Sequence, residues 1–152
     1  MTIEQKIQKL GLDLPAAPKP VGSYVAAVRT GNLIFTAGQL PVRAGTLIAS
    51  GKVPAEVSIE AAQAACRQAT LNALAALAGA AGSLDRVKRI VRLNVFVNSS
   101  PGFIEQAKVA NGASDLLVEI FGDIGRHTRC AVGAAELPLN APVELDLIVE
   151  VE

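Results

Sequence analysis

Apolar residues return along this chain with two different periods, and each change of period marks a new element. Ile3, Ile7 and Leu10 recur at three- and four-residue steps between charged neighbours. That predicts a short amphipathic helix over residues 2–10, capped by Thr2 and stopped by Gly11. The segment Leu12–Pro20 holds three prolines and predicts an extended arm. Tyr24–Arg29 and Leu33–Leu40 read as strands joined by a tight turn at Thr30-Gly31-Asn32. Gly38, inside the second strand, marks a bulge or a close approach of backbone. Residues 41–57 read as a loop with an extended piece, Thr46–Ala49, and a turn at Gly51-Lys52. From the cap Ser58 to about Ala81 the period is helical. Glu60, Gln63, Arg67 and Thr70 form its wet stripe, Leu71, Leu74 and Leu77 are its larger core groups, and Gly82 ends it.

The second half repeats the scheme. Residues 85–98 read as a strand. Ser100-Pro101 predicts a helix start, with Phe103, Ala107, Ala110, Ser114, Leu117 and Phe121 on one face and Gly122 as the stop. Asn111 falls on this helix as a surface or packing amide. His127–Pro138 is a strand whose alternation puts Arg129, Ala131, Gly133 and Ala135 on one face. In the last strand Val143, Leu145, Leu147, Val149 and Val151 alternate with Glu144, Asp146, Ile148, Glu150 and Glu152. The turn at residues 137–142 predicts that these two strands pair as a hairpin, bringing Glu144 beside the strand of Arg129. The order implies an α+β fold, two helices on one face of a mixed, mostly antiparallel sheet. No helix remains for the other face, which self-association would cover.

Composition changes this picture in a few respects. At 152 residues the chain fits one domain, with residues 1–17 as a helix and an arm. It is 51% hydrophobic but 3% aromatic, without Trp, so the core is aliphatic. Lys and Arg number 14 and so do Asp and Glu, which gives no global attraction for nucleic acid or an anionic membrane. Arg86, Lys88, Arg89 and Arg92 form a solvated or subunit-facing patch. The chain starts without an apolar signal core, and no apolar run reads as a membrane span, so the cytoplasm is the expected location. Cys66 and Cys130 lack metal-type spacing and read as buried free thiols.

Candidate chemistry is sparse. The chain has no Ser/His/Asp pattern, Walker loop, GxGxxG or CxxC. Arg129 stands alone over small side chains. A guanidinium there either holds a carboxylate or pairs with a nearby acid. His127, the single His, could serve as a base but reads as an exposed strand-end residue. Glu144 is a candidate base or water-positioner, and backbone near Gly38 and Ala131 offers polar contacts. Tyr24, the single Tyr, is a pocket wall or a rim anchor. Such a set suits hydrolysis at an activated sp² carbon, where water needs only positioning.

The segments Gly22-Ser23-Tyr24-Val25, Phe35-Thr36-Ala37-Gly38-Gln39-Leu40-Pro41, Val95-Phe96-Val97, Thr128-Arg129-Cys130-Ala131-Val132, Leu137-Pro138 and Val143-Glu144-Leu145 together resemble the YjgF/RidA family, also called endoribonuclease L-PSP. The resemblance runs over roughly residues 18–151. It implies a chorismate-mutase-like α+β fold and a homotrimer with three clefts between subunits. It also implies hydrolysis of 2-imino acids to 2-keto acids and ammonia, with no cofactor. Under it Arg129 matches the carboxylate-binding Arg and Glu144 the water-positioning acid. Tyr24, Gly38 and Asn111 match cleft residues, and Ala131 replaces a frequent Cys that acts through its backbone. The chain departs from the family pattern in four places. Ala37 stands for the usual Ser, the 43–56 loop is longer, an N-terminal helix is added, and the Asn111–Arg129 segment has one extra residue. Two functions follow: a cofactor-free deaminase, or a non-catalytic trimer that binds small carboxylic acids in the same clefts. Ribonuclease activity, suggested by the family's other name, is disfavoured by the balanced charge and the lack of a His pair.

Overall fold

Thr2 opens the chain's first helix, α1 (Ile3–Lys9), with a reciprocal cap: its hydroxyl accepts from the Gln5 amide at 3.1 Å and the Gln5 side chain accepts from the Thr2 amide at 2.8 Å. The computed structural model describes all 152 residues. Then follow β1 (Ala27–Thr30), β2 (Leu33–Thr36), β3 (Val42–Arg43), β4 (Thr46–Leu47), α2 (Ile59–Ala81), β5 (Val87–Asn98), α3 (Gln106–Phe121), β6 (Thr128–Ala134) and β7 (Val143–Val151). Five strands form one sheet in the order β1-β2-β7-β5-β6, and β3 pairs with β4 apart from it. Every neighbour in the large sheet is antiparallel except β6, which runs parallel to β5.

The helices lie on one face, as the pattern predicts. Leu93, Val95 and Val97 of β5 and Val143, Leu145, Leu147, Val149 and Val151 of β7 are fully buried there. They pack with Ala62, Ala65, Ala69, Ala73 and Leu74 of α2 and with Ala110, Ala113, Leu116 and Leu117 of α3. Small residues let the two helices approach closely. A Cβ on Gly112 of α3 would stand 2.8 Å from Cα of Gln63 on α2, closer than real Cβ atoms come to a neighbour.

Several expectations are corrected. The hairpin of the last two strands does not form, because β5 lies between β6 and β7. A parallel partner for β6 is a long-range choice with no signature in the turn itself. Tyr24 is not a strand start, since β1 begins at Ala27. Helix α3 starts at Gln106 and not at Ser100. The Ser100 hydroxyl accepts instead from the Ala55 amide at 3.2 Å, and Gly102 turns the chain with φ +84°. Thr70 is buried, its hydroxyl donating to the Cys66 carbonyl at 2.7 Å, so the wet stripe of α2 ends before it. Cys66 is a buried free thiol as expected, but Cys130 is exposed.

Replacing Gly112 by Ala should therefore push α2 and α3 apart and cost about 1–3 kcal/mol of stability. Urea unfolding at constant m-value checks this, and an unchanged midpoint would contradict the close crossing.

Candidate functional site

Arg129 is placed by β6 and aimed by strand pairing. It pairs with Leu93 of β5, which in turn pairs with Leu147 of β7. Paired residues on neighbouring strands face the same way, and both leucines are fully buried under the helices. Arg129 thus turns toward α3. Its Nη1 donates to the Asn111 side-chain oxygen at 2.8 Å and to the Ser114 hydroxyl at 3.1 Å. Asn111 and Ser114 are three residues apart, so one face of α3 presents both. The half-buried guanidinium forms no salt bridge: the ion pairs of the chain are Arg67 with Glu119 and Arg126 with Asp123. Of the two roles open to Arg129, pairing with a nearby acid is not what the fold shows.

Beside Arg129 lies an open pocket of about 250 Å³, lined by Ser114, Asp115, Val118, Arg126, His127 and Arg129. His127 is not a free exposed residue. Its Nε2 lies 2.9 Å from the Ser114 hydroxyl and its Nδ1 lies 2.7 Å from the Gly125 carbonyl. Ser114 was not foreseen as a site residue, and His127 was weighed as a base but read as an exposed strand end. The alternation that puts residues 127 and 129 on one strand face, and the three-residue step from Asn111 to Ser114, were the available signals.

Glu144 belongs to a different place. It pairs with Phe96 of β5, which pairs with Val132 of β6, one row of the sheet's open face. Within one chain Glu144 and Arg129 therefore stand on opposite faces. Gly38 does meet Glu144. Between the pairs Phe35/Ile148 and Gln39/Leu145, four steps on one strand run against three on β7, which leaves one extra residue. That is a bulge, one of the two readings open at Gly38. A Cβ there would come within 3.1 Å of the Glu144 Cδ. Burial pushes the Glu144 carboxyl above the ordinary carboxylate range, and the neighbouring Asp146 charge pushes the same way. Ala131 is half-buried and pairs with Val95, on the face of Arg129. Tyr24 is exposed before β1 and makes no hydrogen bond to any of these residues. The six candidates thus fall into an Arg129–Asn111–Ala131 group, a Glu144–Gly38 group, and Tyr24 apart. No helix is long and apolar enough to cross a membrane, and no cluster of His, Cys, Asp and Glu is set to hold a metal ion.

A mixed sheet with two helices on one face, and an unpaired strand arginine beside α3, define the class. The family model described as "YjgF/chorismate mutase-like, putative endoribonuclease" matches residues 4–151, and the chain belongs to that family. It is 48% identical over 149 residues to protein TCP17 of Trypanosoma cruzi, covering 97% of this chain and 93% of that one. It resembles the crystal structure of Atu1372 from Agrobacterium tumefaciens, a protein of unknown function, with TM-score 0.92 and 42% identity over 99% of this chain and 92% of the other. At greater distance it is 33% identical over 135 residues to the 2-iminobutanoate/2-iminopropanoate deaminase of Escherichia coli K12, covering 87% of this chain and 90% of that enzyme.

The Cys66 thiol tests the burial behind this site. Desolvation pushes it up to about 12, against a smaller lowering by the Arg129 charge. In a Cys130→Ser variant, a thiol reagent at pH 8 should find no fast-reacting group until the protein is unfolded. Prompt labelling of the native variant would show that the packing around α2 does not seal Cys66.

Proposed function

We propose that this chain is a cofactor-free hydrolase of 2-imino acids, acting as a homotrimer whose clefts each take Arg129 from one copy and Glu144 from another. One observation carries it: a half-buried guanidinium held by two neutral acceptors, with no acid of its own chain paired to it. An arginine kept in this way suits a carboxylate brought by a ligand. The opposite facing of Glu144 supports a shared site, since the two groups can meet across one ligand only if two copies contribute. The related deaminase of E. coli supports the substrate class.

The chemistry is simple to balance. The ligand carboxylate lies on Arg129, with Asn111 and backbone at Ala131 alongside. On the other side, Glu144, backed by Gly38 and with Tyr24 at the rim, takes a proton from water as the water oxygen bonds to the imine carbon. The C=N electron pair moves to nitrogen, which receives that proton. The hydroxyl proton of the tetrahedral intermediate is then passed to nitrogen, the carbon–nitrogen bond breaks, and ammonia leaves a 2-keto acid. A carboxylate raised by burial is the better proton acceptor in this role. A guanidinium arriving from the second copy would act against that rise.

A second function, binding of small carboxylic acids without turnover, is favoured by a specific feature: the anion-holding group is assembled within one chain, whereas the acid that would activate water is not beside it.

A coupled assay separates the two. An amino-acid oxidase supplies imino acid and semicarbazide traps what survives. Wild type should reduce trapping, and Arg129→Ala should lower kcat/KM by roughly 100-fold, the loss expected when a charge-assisted pair is removed. Equal trapping with and without wild type, across small and large side chains, would overturn the deaminase and leave the binder.

A further inference from the structure

We propose that Ser114 and His127 are positioning residues for Arg129, linked in one directed chain of hydrogen bonds that leaves a single two-donor edge of the guanidinium facing the ligand. The proposal rests on Arg129 capturing a carboxylate, as above, and goes beyond it by assigning two residues a role and fixing the binding edge.

The chain of bonds starts at a glycine. Gly125 is buried, and a Cβ on it would stand 2.9 Å from the Leu117 carbonyl carbon of α3. No larger residue lets the Gly122–Gly125 turn sit this close to the helix, so the Gly125 carbonyl is fixed against α3. That carbonyl can only accept, and it lies 2.7 Å from His127 Nδ1. The neutral ring therefore carries its proton on Nδ1 and presents Nε2 as an acceptor. Ser114 lies 2.9 Å from Nε2 and so donates its hydroxyl proton there. This turns the lone pairs of Ser114 toward Arg129, whose Nη1 donates to them at 3.1 Å. Every donor in the series points the same way, from Arg129 to Ser114 to His127 to the backbone, and bonds so aligned polarise one another.

The consequence lies at the guanidinium. Nη1 has two hydrogens, and Asn111 and Ser114 take one each. Nε and Nη2 remain. They form a parallel fork that fits both oxygens of one carboxylate. Without Ser114 the group could rotate and offer its donors singly. Arg126, Arg129 and Asp115 face the pocket with His127, and Asp123 pairs with Arg126 at 3.8 Å.

Calorimetric titration of the full chain with 2-oxobutanoate, a stable keto acid, tests this. Ser114→Ala and His127→Ala should each weaken binding by up to about tenfold. Ser114→Thr, which keeps the hydroxyl, and His127→Gln, which keeps an uncharged acceptor near Nε2, should restore it to within about threefold. If Ser114→Ala and His127→Ala bind as wild type while Arg129→Ala does not, the positioning role is wrong and carboxylate capture stands. If Arg129→Ala also binds as wild type, both are wrong.

Discussion

β5 has a neighbour on each side, so each residue along it fixes the facing of one residue on β6 and one on β7. Leu93 turns toward the helices and carries Arg129 and Leu147 with it. Phe96 turns the other way and carries Val132 and Glu144. A shift of one residue in either pairing would bury the charge on the wrong face. The apolar residues of β5 and β7 hold the register, because a one-residue slip would trade Leu and Val in the core for Asn, Arg, Glu and Asp. The division of the candidate site between the two faces follows from core packing.

Each face then has its own character. Under the helices, Arg129 is held by neutral groups of α3, and α3 is itself set by glycine contacts: Gly112 against α2 and Gly125 against its own last turns. On the open face, Val28, Phe35 and Val132 remain exposed beside the half-buried Phe96, Ile148, Glu144 and Asp146. Arg92 Nε donates to Asn94 at 3.0 Å, and Asn94 donates to Asp146 at 2.8 Å, a polar ladder across this face. The face offers both apolar surface and a carboxylate with no hydrogen bond of its own chain near Gly38. A second copy laid against it would bury the first and complete the second.

Much of the fold was legible in local pattern. Both ends of α2 are written as Ser58 and Gly82, and the alternation of β7 is strict. The isolation of Arg129 among small residues was visible too. What was not legible depends on distant partners. Ser100-Pro101 has the form of a helix start, but its hydroxyl is committed to Ala55. Thr70 reads as polar, yet its hydroxyl is satisfied inside α2; Gln68 and Asn72 are buried with it, Asn72 donating to the Leu40 and Val42 carbonyls at 3.0 and 2.9 Å. The parallel pairing of β6 with β5 could not be read from the turn before β7, and with it went the expected hairpin that would set Glu144 beside the strand of Arg129. Ser114 was passed over and His127 read as exposed because each looks ordinary until the fold joins them.

Mixing two inactive chains tests the shared cleft most directly. Arg129→Ala and Glu144→Ala subunits are unfolded together, refolded as mixed oligomers and assayed for imine hydrolysis. If each cleft draws Arg129 from one copy and Glu144 from the next, random mixing in equal amounts leaves about a quarter of the clefts intact, and activity returns to about that share of wild type. If both groups serve from the same copy, no cleft is intact and the mixture stays as inactive as its parents.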